Sequence, residues 1–371
     1  MNATAVITAW TAVSPYGVGG PALTAGLRSA VAPEPVAAPD GWLAEEGDSA
    51  RLVPGFDLRE QLGRAGTRGM DRITGLTAVA VRDLLGPGGA EDALGTGLVL
   101  GTAAGSVQGF LDFTRASLLG ARPIDVPLST LPNMAMNRAA SASAIRHGLK
   151  GPNSTVSAGR LSGLAALGHA AELLAAGRAR RVLAGSVEEY SAARARLAAA
   201  EDARTVLGEG CALVLLESAD RPQGRPLAQV LAVRQRFALD GDFADQLTAC
   251  VRTALAAAGA GPDAVWAVLA GRAAGAAGEG EQAALDRLFG PEPQHRLPAT
   301  TPLGDTAGAT TGFQLAAALG AEPDPQPRLV LLTGTDPGGP VGCALLRLLP
   351  CPADQDPVED AETDDAQEGA R

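Results

Sequence analysis

Lysine is almost absent from this 371-residue chain: Lys150 stands alone, and arginine carries the remaining positive charge. Aromatic residues make up only 3%. With alanine and glycine abundant, that scarcity suits closely packed helices and buried strands. Cysteine is limited to Cys211, Cys250, Cys343 and Cys351, none of them in a CxxC pair. Cys211 and Cys343 lie in the apolar runs GEGCALVLLE and GGPVGCALLRL, where they read as small hydrophobes on strands. The three histidines, His147, His169 and His295, are too scattered for a metal site and read as structural, with His147 in a turn and His169 inside a helix. Neither a metal nor another cofactor is expected. No run of 18 apolar residues appears, which excludes a membrane span, and residues 1–20 have no charged leader before an apolar core. A soluble, cytoplasmic protein is expected. The net charge of −11 argues against nucleic acid as the main partner.

What is present is a globular composition, 46% hydrophobic and 19% charged. Acidity is concentrated in residues 351–371, CPADQDPVEDAETDDAQEGAR, which lack periodicity and large apolar residues; a disordered tail is expected there. The segment AVITAWTAVS predicts a short buried strand before a Pro/Gly turn. A helix is predicted from about Asp71 to Leu85, a strand at GTGLVLG, and a helix through PNMAMNRAASASAIRHG. From Thr155 to Glu189, small residues lead into an Ala/Leu helix, then a glycine stop and a Val/Leu strand. Asp305–Gly339 repeats that plan. GRPLAQVLAVRQRFAL and PDAVWAVLAGRAAG echo the N-terminal and GTGLVLG strands in the same order. Two halves with one βα plan follow, 1–220 and 225–350. Continuous apolar strands alternating with helices predict parallel-type sheets covered on both faces, in a layered α/β/α/β/α body.

These residues resemble a known family. The duplicated plan is similar to the thiolase fold. VITAWTAVSPYG, IRHGLKGPNSTVSAGRLSGLAALGHAAELLAAG, VLAGSVEE and GEGCALVLLE resemble the β-ketoacyl synthases, over about Ala5 to Leu349. Such an enzyme needs a cysteine made acidic at a helix N-terminus to attack an acyl thioester. Two histidines assist decarboxylation and stabilise the resulting enolate, and a lysine and a glutamate support them. Carried over by resemblance, the helix-entry motif Cys-x-Ser/Gly-Gly becomes RLSG here, with Arg160 at the cysteine position. The first histidine position holds Ala270, and the glutamate eleven residues on is retained as Glu281. Thr300 stands at the lysine and Asp305 at the second histidine. The Phe-Gly-Phe-Gly-Gly motif becomes TDPGG, with Pro337 at the position of the gating phenylalanine.

Loss of the nucleophile and of both histidines resembles the chain-length factors, the β-subunits of type II polyketide synthases, which pair with a catalytic ketosynthase α-subunit. HGLKGPNS and GLAALGHA resemble that branch. Arginine rather than glutamine at Arg160, and a short connection after AGSVEE, point to a divergent β-subunit of the kind found in systems that build polyenes. The resemblance implies a heterodimer with a ketosynthase, docking of an acyl carrier protein, and an interface near Ser154–Ser157. It also implies an acyl tunnel lined by Phe110, Phe113, Thr114 and Leu118, whose alternative is an ordinary amphipathic helix packing its apolar face. Two other readings stay open. In one, Arg160, Asp305, Glu281 and Ser157 form a new site for another acyl or thioester reaction, with a carboxylate as base because arginine is too basic to serve. In the other, the chain is a homodimeric scaffold. A cation at the positive end of a helix must find a counterion if it is buried. Asp305 is the expected partner of Arg160, with Glu281 in reserve.

Overall fold

The structure, a computed structural model, describes residues 5–37, 49–86, 88–122, 124–126, 128–200 and 205–350. The acidic tail and Cys351 lie outside them. Nine strands form the path of the main sheet. They are β1 (Ala5–Ser14), β2 (Thr96–Gly101), β3 (Asn153–Val156), β4 (Arg181–Glu188) and β5 (Gly210–Ser218), then β6 (Ala228–Phe237), β7 (Val265–Leu269), β8 (Arg328–Thr335) and β9 (Pro340–Leu348). The order across the sheet is β7-β8-β9-β6-β1-β5-β4-β2-β3.

The order is mirrored about the β1/β6 seam. Outward from β1 the pairings run antiparallel to β5, antiparallel from β5 to β4, then parallel to β2 and β3. Outward from β6 they run antiparallel to β9, antiparallel to β8, then parallel to β7. The echo in the sequence is thus realised as a repeated strand plan. The expectation of parallel-type sheets needs correction, because each side is mixed. β9 follows β8 after the short Asp336–Gly339 turn, too short for a parallel crossover.

Six of the described helices form its layers: α1 (Arg72–Leu85), α2 (Arg138–His147), α3 (Ser162–Ala175), α4 (Phe243–Ala257), α5 (Gly275–Leu288) and α6 (Thr310–Leu319). Asp71 caps α1, accepting the Thr74 N–H at 3.1 Å. The strands carry apolar residues on both faces, and their twofold alternation divides them between layers. On β5, Cys211 and Leu213 join α1 and α2 in one outer core, while Ala212, Val214 and Leu216 face the central helices α3 and α6. On β9, Cys343 and Leu345 pack with α4 and α5 in the other outer core, while Ala344 and Leu346 join the centre. The result is the expected five layers. The central helices come close because Gly163 and Gly312 lie against Ser186: a Cβ at either would sit 2.6 or 2.8 Å from Ser186 Oγ.

Local differences from the expected elements are small. The PNMAMN stretch is a 3-10 turn ending at Met134, and α2 starts only at Arg138, with His147 its last residue rather than a turn residue. The connection after β4 carries a helix, Ala192–Ala200. A second, small sheet joins Val36–Ala37, Ser49–Arg51 and Leu207–Gly208. It brings Arg51 and the Val206–Gly208 backbone toward the start of α6. Among the described residues, no helix is long and apolar enough to cross a membrane.

Candidate functional site

The turn Ser157–Leu161 delivers Arg160 to the start of α3. Gly159 takes a φ of 56°, in the left-handed region that a side chain disfavours. The Ser162 hydroxyl ties the turn, accepting the Ala158 N–H at 3.0 Å and donating to the Gly159 carbonyl at 2.6 Å. From the opposite half of the chain, Asp336 Oδ2 accepts the Arg160 backbone N–H at 2.8 Å. The Arg160 guanidinium therefore stands just ahead of a helix N-terminus, where the macrodipole is unfavourable to a cation.

Asp305 supplies the compensation. Arg160 Nη1 donates to Asp305 Oδ1 at 2.7 Å, with the two side chains 16% and 21% exposed. The backbone of Asp305 is fixed on three sides. Its N–H donates to Val206 O at 2.8 Å, and its carbonyl accepts the Gly208 N–H at 2.9 Å and Arg194 Nη2 at 2.6 Å. Its Oδ1 also accepts the Ala307 N–H at 2.8 Å. Burial alone would raise the carboxyl's pKa, but Arg160, Arg194 and the Ala307 N–H together hold it below the usual range. Asp305 is thus a locked carboxylate.

Glu281 is not a reserve partner of Arg160. It is buried on α5, and Oε1 accepts the Gly271 N–H at 3.0 Å and the Thr333 hydroxyl at 2.7 Å, while Oε2 accepts the Arg272 N–H at 2.7 Å. That grip braces the loop after β7 and holds Arg272 at a φ of 51°. Such a conformation costs a non-glycine residue about 1–3 kcal/mol.

A cavity of about 260 Å³ opens between these elements, lined in part by Arg51, Arg160, Arg272 and Asp305. Thr300 lines it too, as do the buried hydroxyl residues Thr306 and Thr310. Ala270, Glu281 and Pro337 do not. Ala270 precedes the lining residue Gly271, and Pro337 sits exposed in the Asp336–Gly339 turn. Among the described residues, no cysteine or histidine lines the cavity. Cys211, Cys250 and Cys343 are buried in the outer cores, and burial pushes the Cys211 thiol well up. His147 is bonded to Ala78 O, His169 to Ser154 and His295 to Pro291 O. Among the described residues, no cluster of three or more His, Cys, Asp or Glu could hold a metal.

Ser157 stands exposed at the turn, its hydroxyl donating to Ala103 O at 3.2 Å. Phe110, Phe113, Thr114 and Leu118 lie on the helix Val107–Leu119, away from the cavity. That helix fully buries none of its residues; Phe113 and Thr114 are partly buried and Phe110 and Leu118 exposed. Sequence reasoning missed Asp336, Arg194, Arg51 and Arg272. Only Asp336 left a signal, as the acidic residue of the TDPGG turn.

A comparison with known families matches residues 6–221 to the β-ketoacyl synthase N-terminal domain, which is more than half of the chain. The chain is 28% identical over 217 residues to a 3-oxoacyl-[acyl-carrier-protein] synthase 2 from Vibrio harveyi, covering 52% of each sequence. A Rhizobium meliloti synthase of the same name is 29% identical over 174 residues. The match thus spans about half the length, or less, of these curated relatives. Among solved structures, the ishigamide ketosynthase/chain length factor superposes with a TM-score of 0.89 at 43% identity, over 93% of this chain and 99% of the other. A type II PKS acyl-carrier protein in complex with its ketosynthase shares the fold, with a TM-score of 0.73 at 16% identity and 94% of this chain covered. With the strand plan, the turn before α3 and these matches agreeing, the chain belongs to the β-ketoacyl synthase family.

Proposed function

We propose that the chain is a non-catalytic β-subunit, a chain-length factor, that pairs with a catalytic ketosynthase in type II polyketide biosynthesis and shapes its acyl tunnel. The observation that carries this reading is a cavity at the family's catalytic position that holds an Arg160–Asp305 ion pair and neither cysteine nor histidine. An arginine cannot act as a base or an acyl acceptor near neutral pH, and Asp305 is already committed. The 43% identity to a chain named as a ketosynthase/chain length factor supports the same assignment.

The surface supports a partner. The helix Val107–Leu119 and the segment after it expose Phe110 (54%), Leu118 (77%), Leu119 (73%), Ile124 (74%) and Leu128 (70%). An apolar stretch of this size marks an interaction site. At one end of the main sheet, β3 pairs only with β2, so its other edge is open among the described residues. An open edge invites strand pairing and is dangerous if left bare. We assign this face to the ketosynthase, with an obligate interface on the order of 2,000–5,000 Å². Phe110, Phe113, Thr114 and Leu118 become tunnel wall once the partner covers them. The acyl carrier protein would deliver the chain to the partner's cysteine, with no cofactor supplied by this subunit.

The test is coexpression with the ketosynthase from the same pathway. The two chains should copurify at one to one, with all acylation on the partner's cysteine. A chain that stays a well-behaved monomer, ignores that ketosynthase, or condenses acyl and malonyl thioesters alone would overturn the assignment.

A further inference from the structure

The cavity beside Arg160 carries an imbalance that pairing with a ketosynthase does not explain. Among the described residues three arginines line it, Arg51, Arg160 and Arg272, against one lining carboxylate, that of Asp305. Asp305 is committed to Arg160 at 2.7 Å and to the Ala307 N–H. Among the described residues, Arg51 spends only its Nε, donated to the Pro33 carbonyl at 3.1 Å. The Arg272 side chain has no hydrogen-bond or ion-pair partner among the described residues. Glu281 does not pair with the Arg272 side chain: its buried carboxylate accepts two backbone N–H groups and the Thr333 hydroxyl. Glu281 instead holds the Arg272 backbone in the left-handed region, so a buried anion is used to keep a cation at the rim.

Two arginine side chains without a carboxylate partner among the described residues, in a concave space with buried threonines along the wall, fit an anion. We propose that this cavity is a binding site for a small dianionic oxyanion, either a short dicarboxylate or a phosphoryl group, with Arg272 and Arg51 as its principal contacts. Arg160 stays paired with Asp305 and adds the remaining field. Guanidinium groups suit both ligand chemistries because each can present two parallel N–H donors to two oxygens.

The test is calorimetric titration of the full-length protein, in whichever assembly it purifies, at constant ionic strength. Succinate and inorganic phosphate are the probes, and succinamide is the neutral control. One saturable site per chain is expected for succinate or phosphate, and none for succinamide. The tighter of the two probes identifies the source of the oxyanion. Arg272→Gln should weaken binding by about tenfold or more, the loss of a charge-assisted contact. Because Arg272 is exposed, that variant should fold normally. Arg252→Gln, on the exposed side of α4, should bind like the wild type. The proposal is overturned by non-saturating heats for both anions, by equal binding of succinamide, or by Arg252→Gln weakening binding as much as Arg272→Gln.

Discussion

Asp336 fills the space that a side chain at Gly159 would need. Its Oδ2 lies 2.1 Å from the position of a Cβ built on Gly159, and the same oxygen accepts the Arg160 N–H at 2.8 Å. The two turns come from opposite halves of the chain and lock at this point. Gly159→Ala meets both that carboxylate and a disfavoured φ. It should cost roughly 2–4 kcal/mol, read as a lowered urea midpoint. An unchanged midpoint would mean that the lock does not form.

Asp305→Asn keeps an acceptor near Arg160 but removes its counterion. A loss of about 1–3 kcal/mol is expected for this half-buried pair. Adding Arg160→Gln should recover part of that loss, and a double-mutant cycle measures the coupling. The depressed pKa of Asp305 gives stability that is present above the ordinary aspartate pKa and is lost as pH falls through the folded value. Asp305→Asn should therefore flatten the acid limb of a stability–pH curve.

Arg160→Cys alone should not restore condensation. The thiol returns, but Ala270 and Asp305 still provide no imidazole for decarboxylation or oxyanion stabilisation. Carbon dioxide release from malonyl thioester above background would refute this.

Glu189 is buried, and desolvation, followed by repulsion from Asp71, lifts its carboxyl to about 8. The folded state therefore holds a proton that the unfolded chain releases near 4.5. Stability should fall as pH rises through that interval and level off above about 8. Gln can still accept the Ile73 N–H that Glu189 accepts now at 2.9 Å. Glu189→Gln should thus remove much of the decline in melting temperature across the interval. A decline as steep as in the wild type would exclude Glu189 as its source.

Phe110→Glu should leave the isolated chain's stability within about 0.5 kcal/mol, since the side chain is exposed. The same change should abolish copurification with the ketosynthase, because a charge would be buried unpaired. Copurification at wild-type yield would place the interface elsewhere.

Much of this architecture was legible in the residues. Uninterrupted apolar strands, Asp71 ahead of a helical pattern and the repeated small-residue turns each carry their own local physics. The Arg160–Asp305 pair was legible because a cation at a helix start needs a counterion and the resemblance named one. Glu281 was misread, since what it binds are the Gly271 and Arg272 backbone N–H groups, which look alike in every sequence. Asp336 and Arg194 were missed for a related reason. Asp336 reaches Arg160 from 176 residues away, and the hydrogen bonds of Arg194 go to the carbonyls of Glu189, Gly208 and Asp305.

The seam at β1 sets the order in which the chain can be completed during synthesis. β1 leaves the ribosome well before its partners, since Ala5 pairs with Ser218 on one side and Val230 on the other. Neither partner exists until roughly 200 further residues have been made. Until then an apolar strand, AVITAWTAVS, waits without its neighbours. Such long-range pairings slow folding and expose strand edges. Yield in a foreign host should therefore depend on chaperone supply and growth temperature, whatever the stability of the finished fold.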